Sequence, residues 1–200
     1  MTFVYDKGEP VKTAVLMKME DSQELYQALK TIDFQENCLF DITENGLRVI
    51  VDDQNAVQGV AYFKPELFAE FIINQSVVTF CIPFFLFAEC LCVFGMGVST
   101  VLKMTYDGHG EPFVVMLEKD GIVVRCLIKT VIPDTMLDFD FNPADVAAKV
   151  LMKPAILKEI FLELDPSTPT IGFRIDENSI SVITDGDLGK IQQVESSFLL

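Results

Sequence analysis

A chain of 200 residues, half of them hydrophobic, can bury a sizeable core as one large domain or two smaller ones. Its 15 Lys and Arg face 30 Asp and Glu, a formal net charge of −15, so most of its surface repels a bare phosphate backbone and any DNA contact must be local or supplied by basic partners. The cysteines Cys38, Cys81, Cys90, Cys92 and Cys126 are odd in number and lie mostly in apolar runs, which suits reduced core thiols of a cytosolic or nuclear protein; a polar, charged start shows no secretory pattern.

Residues 1–10 are polar, with Gly8 and Pro10, and are expected to be a frayed terminus. Residues 11–19 predict a strand with Val11, Thr13, Val15, Met17 and Met19 on one face and Lys12 and Lys18 on the other. Asp21-Ser22 then caps a helix over residues 21–32, with Glu24 in its first turn and Leu25, Ala28, Leu29 and Ile32 on one buried face. Residues 38–43 and 47–51 form a hairpin about Glu44-Asn45-Gly46, because Asn-Gly accepts positive φ at both positions. Further strands are expected at 57–63, 68–73 and 77–82. From residue 77 to 101 the sole charge is Glu89, and length and hydropathy alone would flag a membrane span. Pro83 splits that run, Gly95 and Gly97 end it early, and no Lys or Arg flanks its start. A strand followed by a helix over 83–94 is the better reading, with no membrane partner. Strands at 101–106, 113–117 and 122–131 complete the series, joined by turns at Asp107-Gly108-His109-Gly110 and Lys119-Asp120-Gly121. Adjacent strands with few helices predict antiparallel sheets and an α+β class.

Residues 132–141, which contain Leu137-Asp-Phe-Asp-Phe141, alternate apolar and acidic side chains and read as a connector between residues 1–131 and 142–200. Beyond it the pattern returns. A helix over 154–164 buries Leu157, Ile160, Phe161 and Leu164, which match Leu25, Ala28, Leu29 and Ile32 at one constant offset. The next hairpin matches at an offset one residue longer: Phe40 with Phe173, Ile42 with Ile175, Glu44-Asn45 with Glu177-Asn178, Leu47 with Ile180, Val49 with Val182 and Asp52 with Asp185. One domain written twice is the physical reading, with the second copy incomplete at residue 200 and 191–200 the start of its fourth strand.

Chemistry is sparse. His109 is the single histidine and sits in a Gly-flanked turn, which argues against a His-based metal site or Ser-His and Cys-His catalysis. Asp52-Asp53, Asp138 with Asp140, and Asp185 with Asp187 are the acid pairs that a Mg²⁺-dependent nuclease would need, yet each lies in a turn or linker where acids are common. No cofactor or metal is expected. With one edge packed, Leu137, Phe139 and Phe141 would border a groove for a partner peptide while Asp138 and Asp140 face water; a linker holding its own domains together explains the same pattern.

The Glu-Asn-Gly turn, the run Leu47-Arg-Val-Ile-Val-Asp-Asp53, Val57-Gln-Gly-Val-Ala-Tyr-Phe63 with Phe68-Ala-Glu-Phe71, residues 83–95 and the Leu-Asp-Phe-Asp-Phe linker resemble the sliding-clamp (PCNA-like) family. Within it the resemblance is to the PCNA-like, Rad-type subunit of the heterotrimeric nine-one-one DNA-damage checkpoint clamp, over about residues 11–200. It implies a DNA-clamp fold of two similar domains with sheets outside and helices lining a channel for double-stranded DNA. It further implies a nuclear, non-enzymatic subunit that works with two other clamp subunits, a clamp loader and checkpoint and repair proteins. A 3′–5′ exonuclease and an acidic scaffold that never meets DNA are the alternatives. Carried onto this chain, Lys30, Lys149, Lys153 and Lys158 are the DNA-proximal residues. Leu137, Phe139 and Phe141 border the partner groove, and Ile122, Val124, Cys126 and Ile128 lie on the ring-edge strand that meets a neighbouring subunit. Two departures stand out: the helix over 83–94 has no basic residue, and the second copy is short.

Overall fold

The computed structural model describes residues 13–54, 56–133, 143–165, 167–177, 179–187 and 189–195. The chain divides into two units between residues 138 and 139, inside the expected connector and outside the described residues.

The first unit opens on β1 (Val15–Met19), where Val15, Met17 and Met19 are buried and the residues between them are not. The next element, α1 (Ser22–Leu29), starts where the Asp21 carboxylate accepts a 2.8 Å hydrogen bond from the Gln23 amide. Its first turn is anchored: the buried Ser22 and Thr100 hydroxyls lie 2.8 Å apart, and Gln23 Nε2 donates to the Val98 carbonyl at 2.8 Å. The helix ends at Leu29 and tightens into a 3-10 turn over Lys30–Ile32, so the expected 21–32 helix is two kinds of helix in series.

Then follow β2 (Asn37–Thr43), β3 (Gly46–Asp53), β4 (Val57–Phe63), β5 (Glu70–Ile73), β6 (Val77–Pro83), α2 (Phe84–Leu91), β7 (Val101–Tyr106), β8 (Phe113–Lys119) and β9 (Ile122–Ile128). They form two antiparallel sheets, ordered β5-β1-β7-β8-β9 and β4-β3-β2-β6. β5 begins at Glu70, later than the expected residue 68, because a 3-10 turn at Pro65–Leu67 precedes it. The apolar run resolves into β6 and α2. That helix spans eight residues, shorter than the expected 83–94, because Cys92 and Val93 turn back on it with 3-10-type bonds to the Glu89 and Cys90 carbonyls. Among the described residues no helix is long and apolar enough to cross a membrane.

The core of this unit is aromatic. Phe40 of β2 stacks on Phe80 of β6 at 5.3 Å, meets Phe87 of α2 edge-on at 5.3 Å, and meets Phe113 of β8 at 5.2 Å. One fully buried ring therefore ties both sheets and a helix together. At the β2–β3 turn Thr43 pairs with Gly46, so the loop residues are Glu44 and Asn45. Among the described residues only Gly46 of this turn has positive φ (+125°), whereas Asn-Gly as the loop pair would put both there. The glycine is needed for space as well as angle: a Cβ there would sit 2.3 Å from the Phe63 carbonyl oxygen. Past β9 the strand expected to run to residue 131 breaks, and Val131 makes an isolated antiparallel bridge to Cys81 through two 2.9 Å backbone bonds.

The second unit holds α3 (Pro154–Leu162), β10 (Ile171–Asp176), β11 (Ser179–Gly186) and β12 (Gly189–Glu195), with the strands in that order in one antiparallel sheet. Its hairpin repeats the first in register: Phe173 faces Val182 and Ile175 faces Ile180, as Phe40 faces Val49 and Ile42 faces Leu47. β12 pairs with β11 as β4 pairs with β3. Burial does not repeat. Of the expected helix face only Ile160 is buried; Leu157 and Phe161 are exposed, Leu164 is half-buried beyond the helix end, and Ile171, Phe173 and Ile175 of β10 are exposed. Val182 and Ile180 are the buried apolar residues of the sheet.

Candidate functional site

A chain this acidic can meet phosphate only through lysines that stand in solvent. Lys30 is exposed at the C-terminal end of α1, where a cation is favoured by the helix dipole. In the second unit Lys149, Lys153 and Lys158 are all exposed. Lys153 is the residue immediately before α3. It makes no side-chain cap and puts a cation at the positive end of the helix, opposite to what helix stability favours. Its counterpart in the repeat, Asp21, is a working cap. α2 carries no Lys or Arg, and its outward positions are Phe85, Leu86 and Glu89.

β9 is the last strand of its sheet, so one backbone edge has no strand partner among the described residues. Of the residues placed at a subunit contact, Ile122 is exposed and Val124 and Cys126 are half-buried. Ile128 is 1% exposed and belongs to the unit's own core, so at that position the backbone alone faces outward. Val123 and Leu127, on the opposite face, are exposed apolar side chains that spacing alone did not single out. Leu137, Phe139 and Phe141, and with them Asp138 and Asp140, lie outside the described residues.

The remaining acid pairs do not converge. Asp52 accepts a hydrogen bond from Gln58 Nε2 at 3.2 Å, and Asp185 and Asp187 are exposed at the turn between β11 and β12. Among the described residues no group of three or more His, Cys, Asp or Glu is gathered as a metal site. All five cysteines are free thiols. Burial pushes the Cys38 thiol far up, and burial followed by a hydrogen bond with Cys126 pushes Cys90 up to about 12, so both stay protonated at neutral pH and are poor nucleophiles. His109 is exposed between Gly108 and Gly110, both at positive φ.

Two charged features escaped the reading by pattern. Asp41, 7% exposed on β2, accepts from Arg48 Nε at 2.8 Å across the hairpin. The hairpin register, once fixed by its turn, places these two opposite each other, so the pair was recoverable. Lys103 on β7 is also buried, and its pKa is lowered by that burial.

The comparisons with known proteins fit this architecture. Residues 14–197 match the family Rad1, described as Repair protein Rad1/Rec1/Rad17. The chain is 34% identical over 165 residues to "Cell cycle checkpoint protein RAD1" of Mus musculus, a match covering 80% of this chain and 59% of that protein. A relative from Mycosarcoma maydis named "DNA repair exonuclease REC1" is 30% identical over 90 residues, covering 44% of this chain and 19% of that protein. Among solved structures the chain resembles the Proliferating Cellular Nuclear Antigen of Entamoeba histolytica, with a TM-score of 0.71 at 14% identity, covering 92% of this chain and 75% of that one. The fold is thus the α+β clamp fold, with antiparallel sheets and few helices. The chain spans about three fifths of the length of the mouse relative. On the match over residues 14–197, this chain belongs to the Rad1 family of repair proteins.

Proposed function

We propose that the chain is a non-enzymatic subunit of a heterotrimeric checkpoint clamp that encircles double-stranded DNA in the nucleus and recruits checkpoint and repair proteins. The observation that carries this reading is the helix-hairpin unit repeated in register on a clamp fold, in a chain of the Rad1 family. A ring holds DNA by topology, which accommodates a net charge of −15 that tight phosphate binding would not. The open edge of β9 suits strand addition by one neighbouring subunit, with Ile122, Val124 and Cys126 beside it and Ile128 contributing backbone. Lys30, Lys149, Lys153 and Lys158 would approach the duplex, Lys153 at some cost to its helix. Leu137, Phe139 and Phe141 would border the partner groove, with residues 132–141 as the connector between the domains.

The test is loading. Co-expressed with two other clamp subunits and supplied with a clamp loader, the chain should be retained on nicked circular DNA and lost when the circle is linearised. Retention that survives linearisation, or none on the circle, would overturn the proposal. Alanine at Lys149, Lys153 and Lys158 should weaken DNA binding and flatten its salt dependence by about 0.9 in log–log slope for each phosphate that a lysine no longer neutralises.

The fungal relative's name keeps a second reading in view, a Mg²⁺-dependent exonuclease using the acid pairs. Alanine at Asp138, Asp140, Asp185 and Asp187 should leave any background nuclease signal of a purified preparation unchanged; a Mg²⁺-dependent signal abolished by these changes would establish the enzyme instead.

A further inference from the structure

Buried side-chain oxygens without partners gather in the second unit. Among the described residues Asp165 Oδ2, Thr168 Oγ1, Thr184 Oγ1 and Gln193 Oε1 are shut away from solvent and make no hydrogen bond. They belong to the segment that follows α3 and to the strands β11 and β12. A polar atom buried unpaired is costly, and a group of them in one place points to a ligand supplied from outside the chain.

The fold brings these oxygens to one side of the sheet. Thr184 and Gly186 alternate on β11 and so share a face. Gln193 pairs with Val182, which alternates with Thr184, so Gln193 lies on that face as well. The segment after α3 lies against it: a Cβ at Gly186 would run into Asp165 Oδ2 and stand 2.8 Å from Thr168 Oγ1 and 3.0 Å from Ser167 Oγ. The missing side chain of Gly186 is what lets these oxygens approach β11. Asp165 Oδ1 accepts from the Ser167 hydroxyl at 2.7 Å and from the Ser167 amide at 2.9 Å, and these bonds hold its carboxyl below the usual carboxylate range. Its Oδ2 is left over. Gln193 Nε2 donates to Glu163 Oε2 at 2.6 Å, which fixes the amide and leaves Oε1 as its free end. Thr184 is the decisive member, since it is 1% exposed and its hydroxyl has no partner.

We infer that this cluster is a calcium-binding site, with Asp165 Oδ2, Thr168 Oγ1, Thr184 Oγ1 and Gln193 Oε1 as ligands and solvent completing the shell. The donors select the class of ion. All are hard oxygens, which suit Ca²⁺ or Mg²⁺ and not zinc or copper. The Asp165 carboxylate, with Glu163 next to Gln193, selects a cation. Mostly neutral oxygens drawn from three segments favour Ca²⁺, which takes roughly six to eight ligands in flexible geometry, over Mg²⁺, which demands a near-ideal octahedron. Asp185 and Lys190 pair in register in the opposite strand phase, so neither faces the ion. The ion would tie the segment after α3 to β11 and β12, in a unit where the buried apolar residues are Ile160, Ile180 and Val182 among the described residues. The inference is independent of ring assembly, since all of its residues lie in the second unit.

The probe is Ca²⁺ itself, added to the full chain after divalent ions have been removed by chelation. Equilibrium dialysis in about 0.15 M KCl, which screens the acidic surface, should show saturable uptake of about one ion per chain with Kd of about 10⁻⁴–10⁻³ M. Thermal unfolding should shift upward with added Ca²⁺, and less with Mg²⁺ at the same concentration. Thr184→Val should weaken uptake at least about tenfold. Without the ion this variant should melt no lower than the parent, because a methyl replaces an unpaired buried hydroxyl. Asp165→Asn, which keeps an oxygen for Ser167 and removes the charge, should abolish uptake. Uptake unchanged in both variants would assign the ion to the diffuse acidic surface and overturn the proposal. Absence of saturable uptake would leave ordered water as the partner of these oxygens and overturn it too. So would equal affinity for Mg²⁺.

Discussion

The two hairpins of this protein share a register and differ in fate. Phe40 and Ile42 of β2 are 0% exposed, while Phe173 and Ile175, which occupy the same register positions on β10, are 55% and 42% exposed. The helices repeat the contrast: Leu25 and Leu29 of α1 are buried, and their counterparts Leu157 and Phe161 on α3 are exposed. Local sequence is nearly sufficient for the hairpin and the helix. Burial is supplied from far along the chain, since the rings around Phe40 come from β6, α2 and β8. The same local code yields a core where distant elements arrive and an apolar surface where, among the described residues, they do not.

Paired substitutions measure how far the two hairpins differ. Phe40→Ala should cost about 3–5 kcal/mol in urea unfolding, enough to abolish the cooperative transition of the first unit, because a ring shared by two sheets leaves a cavity. Phe173→Ala should cost under about 1 kcal/mol. Equal costs would mean that β10 is covered in solution. Gly46→Ala should cost about 1–3 kcal/mol, from its positive φ and the Phe63 carbonyl. Its counterpart Ser179 has no positive φ, and Ser179→Ala should stay within about 0.5 kcal/mol.

Helix starts give a smaller pair of effects. Asp21→Ala should destabilise by about 1 kcal/mol through the missing cap, whereas Lys153→Asp should stabilise α3 by up to about 1 kcal/mol, both read from thermal unfolding. If Lys153 contacts DNA, the stabilised variant should bind DNA less well, separating stability from function at one residue.

Alkaline titration should separate the units as well, since every cysteine lies in the first. Cys90 has a folded pKa of about 12 against 9.0 for the free thiol, raised by burial and then by Cys126. Its protonated form is the one the fold accommodates. That contribution is fully present below pH 9 and is lost as pH rises toward 12. Circular dichroism should therefore report loss of the first unit above pH 9, with a shallower decline in Cys90→Ala after correction for its lower baseline stability.

Much of the fold was legible because it is local. Val15, Met17 and Met19 announced a half-buried strand, Asp21 announced a cap, and Glu44-Asn45-Gly46 announced a hairpin. What stayed hidden depends on distant partners. Nothing near Leu157 or Phe161 says that no second layer covers them among the described residues, and nothing near Ile128 says that it belongs inside while Leu127 does not. The reason for Gly46 lies in a carbonyl on β4. The family resemblance was carried by short motifs at turns and hairpins, Glu44-Asn45-Gly46 among them. Lys30, Lys149, Lys153 and Lys158, the residues expected near DNA, are exposed side chains, which no packing constraint identifies.

The bridge between Val131 and Cys81 has a mechanical consequence. After β9 the chain leaves its own sheet and is pinned, by two backbone bonds, to the outer edge of the other one. Tension applied to the residues that follow is therefore borne first by this single pair of bonds, at β6, before it can peel β9 from β8. The pair works as a tear-stop: the tether yields at a sacrificial link while both sheets behind it keep their order.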